Sequence, residues 1–253
     1  DLQPWFSAVG VKYGFVAQED GSLTVPVASE AAIPVWEWLA KLYAEGLLDP
    51  DCLINETRDL RNRFNTGSTG LVVDWAAWCG LYNVNAGELY PAEFEAYPLP
   101  GTKAEGGEYM LSRGDPSIWV IPVNAANPEG GFKCLEYMAT QEGGELLSIG
   151  IEGHDWVMQD GKVVLTETGL AHGKDHGAPV PTSRLYVSPV EWNPGFEKAM
   201  EYLPYADIEI NNINKTKMRD TVAKFGTEII NGSMTAADGV AAMQAELVAL
   251  GVI

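Results

Sequence analysis

The fold is decided by the stretch Gly67-Ser-Thr-Gly-Leu-Val-Val-Asp-Trp-Ala-Ala-Trp-Cys-Gly-Leu-Tyr82, which changes character at Asp74. Before Asp74, the apolar residues 71–73 are bounded by turn residues, which predicts a buried strand. After Asp74, aromatic residues follow at spacings of three and four, which would place them on one face of a helix that Asp74 caps. These aromatic residues are Trp75, Trp78 and Tyr82.

A strand that ends in an acid and two tryptophans is a candidate ligand platform. In α/β proteins, ligands bind at the carboxyl ends of strands, where loops and helix N-termini converge. Core packing of both tryptophans is an equal alternative, because aromatic residues at helical spacing are often buried.

Composition sets the class of protein. The 253 residues suffice for one large domain or two lobes, and 46% of them are hydrophobic, which is typical of a folded chain. There are 35 acidic residues against 16 basic ones, giving a formal net charge of -19. A surface this acidic repels phosphate backbones and anionic lipid headgroups. We therefore expect no nucleic-acid partner and no membrane binding through a basic patch.

The cysteines and the apolar runs narrow the class further. Cys52, Cys79 and Cys134 are an odd number without short spacings, so they indicate neither a redox centre nor a zinc site, and at most one disulfide. The longest apolar runs, such as Ile118-Trp-Val-Ile-Pro-Val123, are far shorter than the roughly 20 residues that a membrane-spanning helix needs.

The remaining pattern is mostly helical. We predict hairpins that turn at Asp20-Gly21 and Asp160-Gly161, and a strand over residues 117–123. Residues 92–108 are rich in proline and glycine, which favours a crossing between lobes, and residues 166–193 are expected to be irregular. Helices are predicted to begin at Ser29, Asn127 and Thr235, and to cover residues 58–64, 145–149, 194–202 and 215–231.

Four segments, one of which overlaps residues 67–82, occur in an order that is typical of one family. They are Trp38-Leu-Ala-Lys-Leu-Tyr-Ala-Glu-Gly-Leu-Leu-Asp-Pro-Asp51; Phe64-Asn-Thr-Gly-Ser-Thr-Gly-Leu71, followed by Trp75 and Trp78; Asn127-Pro-Glu with Cys134-Leu-Glu-Tyr-Met; and Gly150-Ile-Glu-Gly-His-Asp-Trp156, followed by Asp160-Gly-Lys. Together they resemble the extracellular solute-binding proteins of ABC importers, in particular the sugar-binding lipoproteins.

The resemblance implies an α/β, periplasmic-binding-protein-like fold of type II, with two lobes joined by a hinge. Residues 1–102 would belong to the second lobe, residues 103–158 to the crossing and the first lobe, and residues 159–253 to the second lobe again. Members of the family are usually longer and begin with a βαβ unit that this chain lacks. We therefore expect an incomplete first lobe, in a mature or trimmed form of a longer precursor.

The same resemblance implies the activity and the partners. It predicts a monomeric, extracellular or periplasmic receptor, lipid-anchored in its precursor, that binds a carbohydrate or similar polar solute and delivers it to an ABC permease. It implies no cofactor and no catalytic residue. Sugar rings need flat aromatic faces and planar hydrogen-bonding groups. The predicted ligand-binding residues are Asp74, Trp75, Trp78, Arg113, Asp115, Trp119, His154, Trp156, Tyr186 and Trp192, with Asp155 and Arg184 as further candidates.

Three other interpretations stay open. A metal site at His172, Asp175 and His176 is a weaker hypothesis, because the glycines around these residues disfavour a regular helix. A glycosidase would use a carboxylate pair, such as Glu152 with Asp155 or Glu19 with Asp20. An interaction module without a small ligand is the third. Motifs for nucleophilic, phosphoryl-transfer and dinucleotide chemistry do not occur in the sequence.

Overall fold

The computed structural model describes residues 2–89, 94–114, 118–172, 186–190 and 193–253. The chain divides into two compact units, which we call unit 1 and unit 2. Unit 1 contains Asp1–Asp74, Leu99–Asp115 and Tyr202–Ile253, and unit 2 contains Trp75–Pro98 and Pro116–Glu201. These divisions differ from the predicted lobe segments 1–102, 103–158 and 159–253, which stay a prediction.

Helices dominate both units, and the strands are short. The α-helices are α1 (Gln3–Phe6), α2 (Ile33–Ala44), α3 (Thr57–Asn65), α4 (Trp78–Leu89), α5 (Pro128–Met138), α6 (Gln141–Ser148), α7 (Glu167–His172), α8 (Phe196–Met200), α9 (Lys215–Ile230) and α10 (Ala236–Ala249). The strands are β1 (Val16–Ala17), β2 (Leu23–Thr24), β3 (Leu111–Arg113), β4 (Trp156–Gln159), β5 (Lys162–Leu165) and β6 (Ala206–Ile208).

The core of unit 1 lies where α2 packs against α9 and α10. At its centre, Trp36 is 1% exposed and lies edge-on to the Phe6 ring, with 5.0 Å between ring centroids. Its indole N–H donates to the Val27 carbonyl at 3.1 Å, so burial of the ring leaves no unpaired donor. Gly226 of α9 permits this close packing, because a Cβ there would lie 2.8 Å from the Trp36 ring.

Local capping signals place two helices as predicted. The Asn127 side chain accepts a hydrogen bond from the Gly130 N–H at 2.9 Å, at the start of α5. The Thr235 hydroxyl accepts from the Asp238 N–H at 3.1 Å, at the start of α10. Both caps satisfy backbone donors that the first helical turn leaves unpaired.

Two other predicted side-chain caps are wrong. Helical conformation begins after Ser29 as predicted, with a 3-10 turn over Glu30–Ala32 that leads into α2, but the Ser29 hydroxyl donates to the Pro26 carbonyl at 2.7 Å and caps no helix N–H. Helix α4 begins at Trp78, four residues after Asp74. Asp74 therefore does not cap it.

The two predicted hairpins are confirmed. Strands β1 and β2 pair antiparallel on either side of Asp20-Gly21, and β4 pairs antiparallel with β5. Asp160 and Gly161 both have positive φ, at 51° and 76°, as a two-residue turn of the favoured hand requires.

A third pairing was not predicted. Strand β3 pairs in parallel with β6, with Leu111 opposite Ala206 and Arg113 opposite Ile208. The two strands are almost a hundred residues apart in the sequence, and each has only three residues. So short a strand carries too little sequence periodicity to be recognised.

Two predicted strands are absent from the described part of the chain. Residues 71–73 and residues 118–123 form no ladder with any described residue. A strand needs backbone partners for its N–H and C=O groups, and an apolar run alone does not supply them. The region expected to be irregular contains α7, in which the Thr166 hydroxyl accepts from the Gly169 N–H at 3.2 Å.

In the described part of unit 2, few apolar side chains are buried. Asn83 of α4 holds the loop that follows, because its side chain accepts from the Ala96 N–H at 2.6 Å and donates to the Ala96 carbonyl at 3.0 Å. Among the described residues, the buried apolar side chains of unit 2 are Cys79, Leu81, Tyr82, Ala96, Ile149 and Ala199.

Two further observations concern the whole described chain. Its three cysteines are free thiols, with Cys79 buried and Cys52 and Cys134 exposed. Within the described ranges, no helix combines the length and the apolar character that a membrane span requires.

Candidate functional site

Asp74 is the last residue of unit 1 before the chain enters unit 2 at Trp75. Arg61 of α3 donates from Nε to one Asp74 carboxylate oxygen at 2.7 Å and from a terminal nitrogen to the other at 2.9 Å. The Asp74 side chain is 8% exposed and that of Arg61 is 20% exposed. A two-pronged pair of this kind fixes the plane of the carboxylate and compensates its burial.

Helix α3 also holds the acidic loop after α2. Arg63 pairs with Asp49, at 3.0 Å from Nε, and with Asp51. The Asn55 side chain donates to the Asp49 carboxylate at 2.6 Å. The Asp-Pro-Asp segment therefore serves the structure of unit 1, and α3 positions the acidic loop together with Asp74.

The aromatic residues of unit 2 range from solvent to core. Trp75 is 61% exposed and precedes the helix, Trp78 is half-buried at the first position of α4, and Tyr82 is buried one turn later. The Trp78 and Tyr82 rings lie 5.8 Å apart between centroids. The predicted single helical face is therefore wrong for Trp75, whereas both tryptophans keep an accessible surface that can contact a ligand.

The segment from Gly150 to Trp156 forms a closed turn. Buried Asp155 accepts from the Ile151 N–H at 2.8 Å, and its other carboxylate oxygen lies 3.1 Å from Nδ1 of exposed His154. The Trp156 indole N–H donates to the Gly150 carbonyl at 3.1 Å. Asp155 and Trp156 therefore maintain the turn, and His154 presents its ring to solvent.

Tyr186 packs on α6. Its hydroxyl bonds to the Ser148 hydroxyl, and a Cβ on Gly144 would lie 2.3 Å from its ring. The Gln141 carboxamide donates to the Val187 carbonyl and accepts from the Val187 N–H, both at 2.9 Å. These two hydrogen bonds hold Val187 against α6, as hydrogen bonds from a neighbouring strand would.

The other predicted site residues are divided between the two units and the residues outside the described ranges. Arg113 lies exposed at the end of β3 in unit 1, and Trp119 lies exposed in unit 2. Asp115, Trp192 and Arg184 lie outside the described residues. Asp175 and His176 also lie outside them, as does the side chain of His172.

The two carboxylate pairs differ in their exposure. Glu19 and Asp20 lie exposed at the tip of the β1–β2 hairpin, and Glu152 is exposed while Asp155 is buried in its turn. Among the described residues, no group of three or more histidine, cysteine, aspartate or glutamate side chains could hold a metal ion.

Sequence reasoning missed two features of unit 1. Arg61 is one of them, although a buried aspartate in so acidic a chain requires a basic partner, which was the signal available. The other is a surface groove of about 350 Å³. The Tyr109 and Tyr205 rings meet edge to face along it at 5.5 Å, beside the ion pair of Lys12 with Asp207.

Comparison with known proteins identifies the fold. No family model matches the chain, and no curated protein matches its sequence. The alginate-binding protein AlgQ2, in a crystal structure without calcium ion, has a TM-score of 0.66 at 19% identity over 98% of this chain and 59% of that chain. A protein described as an oligosaccharide periplasmic-binding protein from Synechococcus sp. MITs9220 has a TM-score of 0.57 at 11% identity over 97% of this chain and 57% of that chain.

These matches confirm the predicted α/β fold of the periplasmic-binding-protein type. The chain spans less than three fifths of the length of either protein.

Proposed function

We propose that the chain is part of an extracytoplasmic solute receptor that binds a carbohydrate without transforming it. The observation that carries the proposal is the fold, which it shares with a binding protein for alginate and with one described as binding oligosaccharides. Exposed Trp75 supports it, because a flat indole face packs on the C–H face of a sugar ring at little entropic cost.

Trp75 and Trp78 of unit 2 are the principal ligand contacts in this proposal. Ligand contact by Asp74, whose carboxylate Arg61 holds with two hydrogen bonds, stays a prediction from the sequence. Ligand contact by Arg113, Asp115, Trp119, His154, Trp156, Tyr186 and Trp192 stays a prediction from the sequence.

The partner and the location belong to the same proposal. A receptor of this kind would act as a monomer, lipid-anchored outside the cytoplasm in its precursor, and would deliver the solute to an ABC permease. It would need no cofactor. The thermal-shift screen described below includes an assay that would detect glycosidase activity.

The charge of the chain bears on the class of sugar. With a net charge of -19, the chain repels polyanions at long range. We therefore expect neutral oligosaccharides to bind more tightly than the uronate chains of alginate. Because salt screens long-range repulsion, the difference should shrink as ionic strength rises.

A thermal-shift screen tests the proposal. The chain, and the longer polypeptide if the source contains one, would be heated with neutral oligosaccharides and with alginate oligosaccharides. A ligand at a hundred times its dissociation constant adds about 2.7 kcal/mol to the native state, which raises the melting temperature by roughly several degrees. Reducing ends would be assayed after long incubation to detect cleavage.

Matched tryptophan variants localise the effect. Trp75→Ala should abolish the shift, whereas Trp38→Ala, at an exposed tryptophan of unit 1, should preserve it. Release of reducing ends would show that the protein is an enzyme and would refute the proposal of a receptor. Absence of any shift in both polypeptides would refute carbohydrate binding.

A further inference from the structure

The surface groove of unit 1 has the size of a small-molecule site. Three segments of the chain line it, around Lys12, Tyr109 and Tyr205, and we call it the tyrosine groove. Its volume of about 350 Å³ lies in the range of roughly 300–1,000 Å³ that ligand pockets occupy. All of its lining residues belong to unit 1, so the groove is a property of one folded unit.

The parallel pairing of β3 with β6 brings the two tyrosines together. Tyr109 lies just before β3 and Tyr205 directly before β6, and Leu111 lies opposite Ala206 in the ladder. Parallel strands begin at the same edge of a sheet, so the side chains ahead of them become neighbours. The two rings meet at 76° with 5.5 Å between centroids, and Tyr205 keeps 40% of its surface accessible. They therefore form a corner with two aromatic walls.

A cation already lies on one of these walls. The Nζ atom of Lys103 is 5.2 Å from the centroid of the Tyr109 ring. This distance is within the roughly 6 Å at which an ammonium group is attracted to the negative face of an aromatic ring. The contact indicates that the aromatic corner favours positive charge.

Carboxylates around the groove add to this preference. Glu108 lies exposed in its lining, and the Asp207 side chain is 71% exposed. Among the described residues that line the groove, Lys12 alone is basic, and its ion pair with Asp207 offsets its charge. The net charge of -19 also attracts cations to the protein at long range.

We propose that the tyrosine groove binds an organic ammonium ion, with its charge between the tyrosine rings and the carboxylates of Glu108 and Asp207. A quaternary ammonium group suits such a site, because aromatic faces and carboxylates both stabilise its charge. A sugar ring fits less well, since it needs an open aromatic face and the Lys103 ammonium lies over that of Tyr109.

Choline and its neutral isostere, in which a carbon atom replaces the nitrogen, are matched probes of this site. In NMR titrations, choline should bind at least about fivefold more tightly than the isostere, because the two molecules share a shape and differ in charge. The difference should shrink as ionic strength rises. Equal affinities, or no binding of either probe, would overturn the proposal.

Variants of Tyr205 locate the bound cation. Tyr205→Leu should weaken choline binding at least about fivefold, whereas Tyr205→Phe, which keeps the aromatic face, should retain it. Tyr97→Leu is the control, at a tyrosine of unit 2 that is 69% exposed, and should change nothing. If Tyr205→Leu does not fold, Glu108→Gln on the exposed rim should weaken binding about twofold.

Lys103→Gln tests the sign of the ligand's charge. Removal of the ammonium from the Tyr109 ring should strengthen choline binding about twofold to fivefold. Weaker binding in this variant would show that the groove selects negative charge and would overturn the proposal.

Competition separates this site from the proposed function. Displacement of choline by a neutral oligosaccharide would identify the groove as a sugar site and would also overturn the proposal. Trp75→Ala, in unit 2, should leave choline binding unchanged. Failure of sugar binding at Trp75 and failure of ammonium binding at Tyr205 are therefore separate results.

Discussion

Unit 1 and unit 2 bury their apolar residues in different ways. In unit 1, α2, α9 and α10 enclose a continuous cluster around Trp36, and Gly226 and Gly239 allow close helix contacts. In unit 2, the described helices share no comparable cluster, and many large apolar side chains face solvent. The difference teaches that the described helices of unit 1 share one continuous core, whereas the described part of unit 2 leaves many of its large apolar side chains exposed.

The largest effect should come from the centre of unit 1. Trp36→Ala removes the ring that α2, α9 and Phe6 enclose, and we expect a loss of about 3–5 kcal/mol in the free energy of unfolding. Urea denaturation measures it. Trp38→Ala, in the same helix, should cost less, because Trp38 is 41% exposed and its ring packs only on one side, against Trp5 at 5.5 Å. Equal losses would mean that unit 1 has no dominant core.

The second largest effect should come from the ion pair of Arg61 with Asp74 in unit 1. Asp74→Leu leaves the Arg61 guanidinium without its two carboxylate bonds, and we expect a loss of about 3 kcal/mol in the stability of unit 1. Glu45→Gln is the control, since Glu45 pairs with Lys41 on the surface and should contribute less than about 0.5 kcal/mol. A similar loss in both variants would mean that burial of Asp74 adds nothing.

The thiol of Cys79 reports directly on unit 2. It is buried and donates to the Ala96 carbonyl at 3.3 Å, and burial raises the pKa of the thiol. Iodoacetamide should modify it about 100-fold more slowly than exposed Cys134, and faster as pH rises and the thiolate forms. In mild urea, modification should begin while the amides of α9 are still protected. Simultaneous loss of both protections would mean that the two units unfold as one.

A smaller, local effect is expected in unit 2 at Gln141. Gln141→Leu removes both hydrogen bonds to Val187, and we expect a loss of about 1 kcal/mol, seen as faster hydrogen exchange of residues 186–188. Gln18→Leu, which removes one exposed hydrogen bond to Thr24 in unit 1, is the matched control. Unchanged exchange in the Gln141 variant would show that its two hydrogen bonds to Val187 do not hold residues 186–188 in place.

The smallest effect lies in the β1–β2 hairpin of unit 1. Hydrogen bonds from the Ser22 hydroxyl and N–H lower the pKa of Asp20 below its ordinary value. A lowered folded pKa stabilises the hairpin above the ordinary pKa of aspartate, and this contribution disappears as pH falls through the folded pKa. Ser22→Ala should raise the pKa of Asp20 toward the ordinary value in an NMR titration, whereas distant Ser233→Ala should not.

Local signals in the sequence predicted much of this fold. The caps at Asn127 and Thr235 and the turns at Asp20-Gly21 and Asp160-Gly161 lie where expected, because capping and turn geometry depend on neighbouring residues. In α2, Trp36 and Leu39 stand three residues apart on one helical face, and both are buried.

Features that depend on distant partners were not predictable in this way. The parallel pair of β3 with β6 joins segments far apart in the chain, and the bond from Arg61 to Asp74 crosses from helix to loop. Conversely, residues 71–73 and 118–123 have strand-like sequences, but no described residue supplies the second half of a ladder. Hydrophobic periodicity indicates which side chains are buried. It does not indicate which distant backbone segment forms hydrogen bonds with a strand.

The sequence by itself determined the acidic character of the chain, its helical periodicity, its caps and hairpins, and the resemblance that led to the correct fold. Tertiary structure alone decided that Asp74 is tied to Arg61 instead of capping a helix, and that Trp75 stands exposed while Tyr82 is buried. The physical reason is range: caps and turns are set within a few residues, whereas burial and ion pairing depend on which distant surfaces the folded chain brings together.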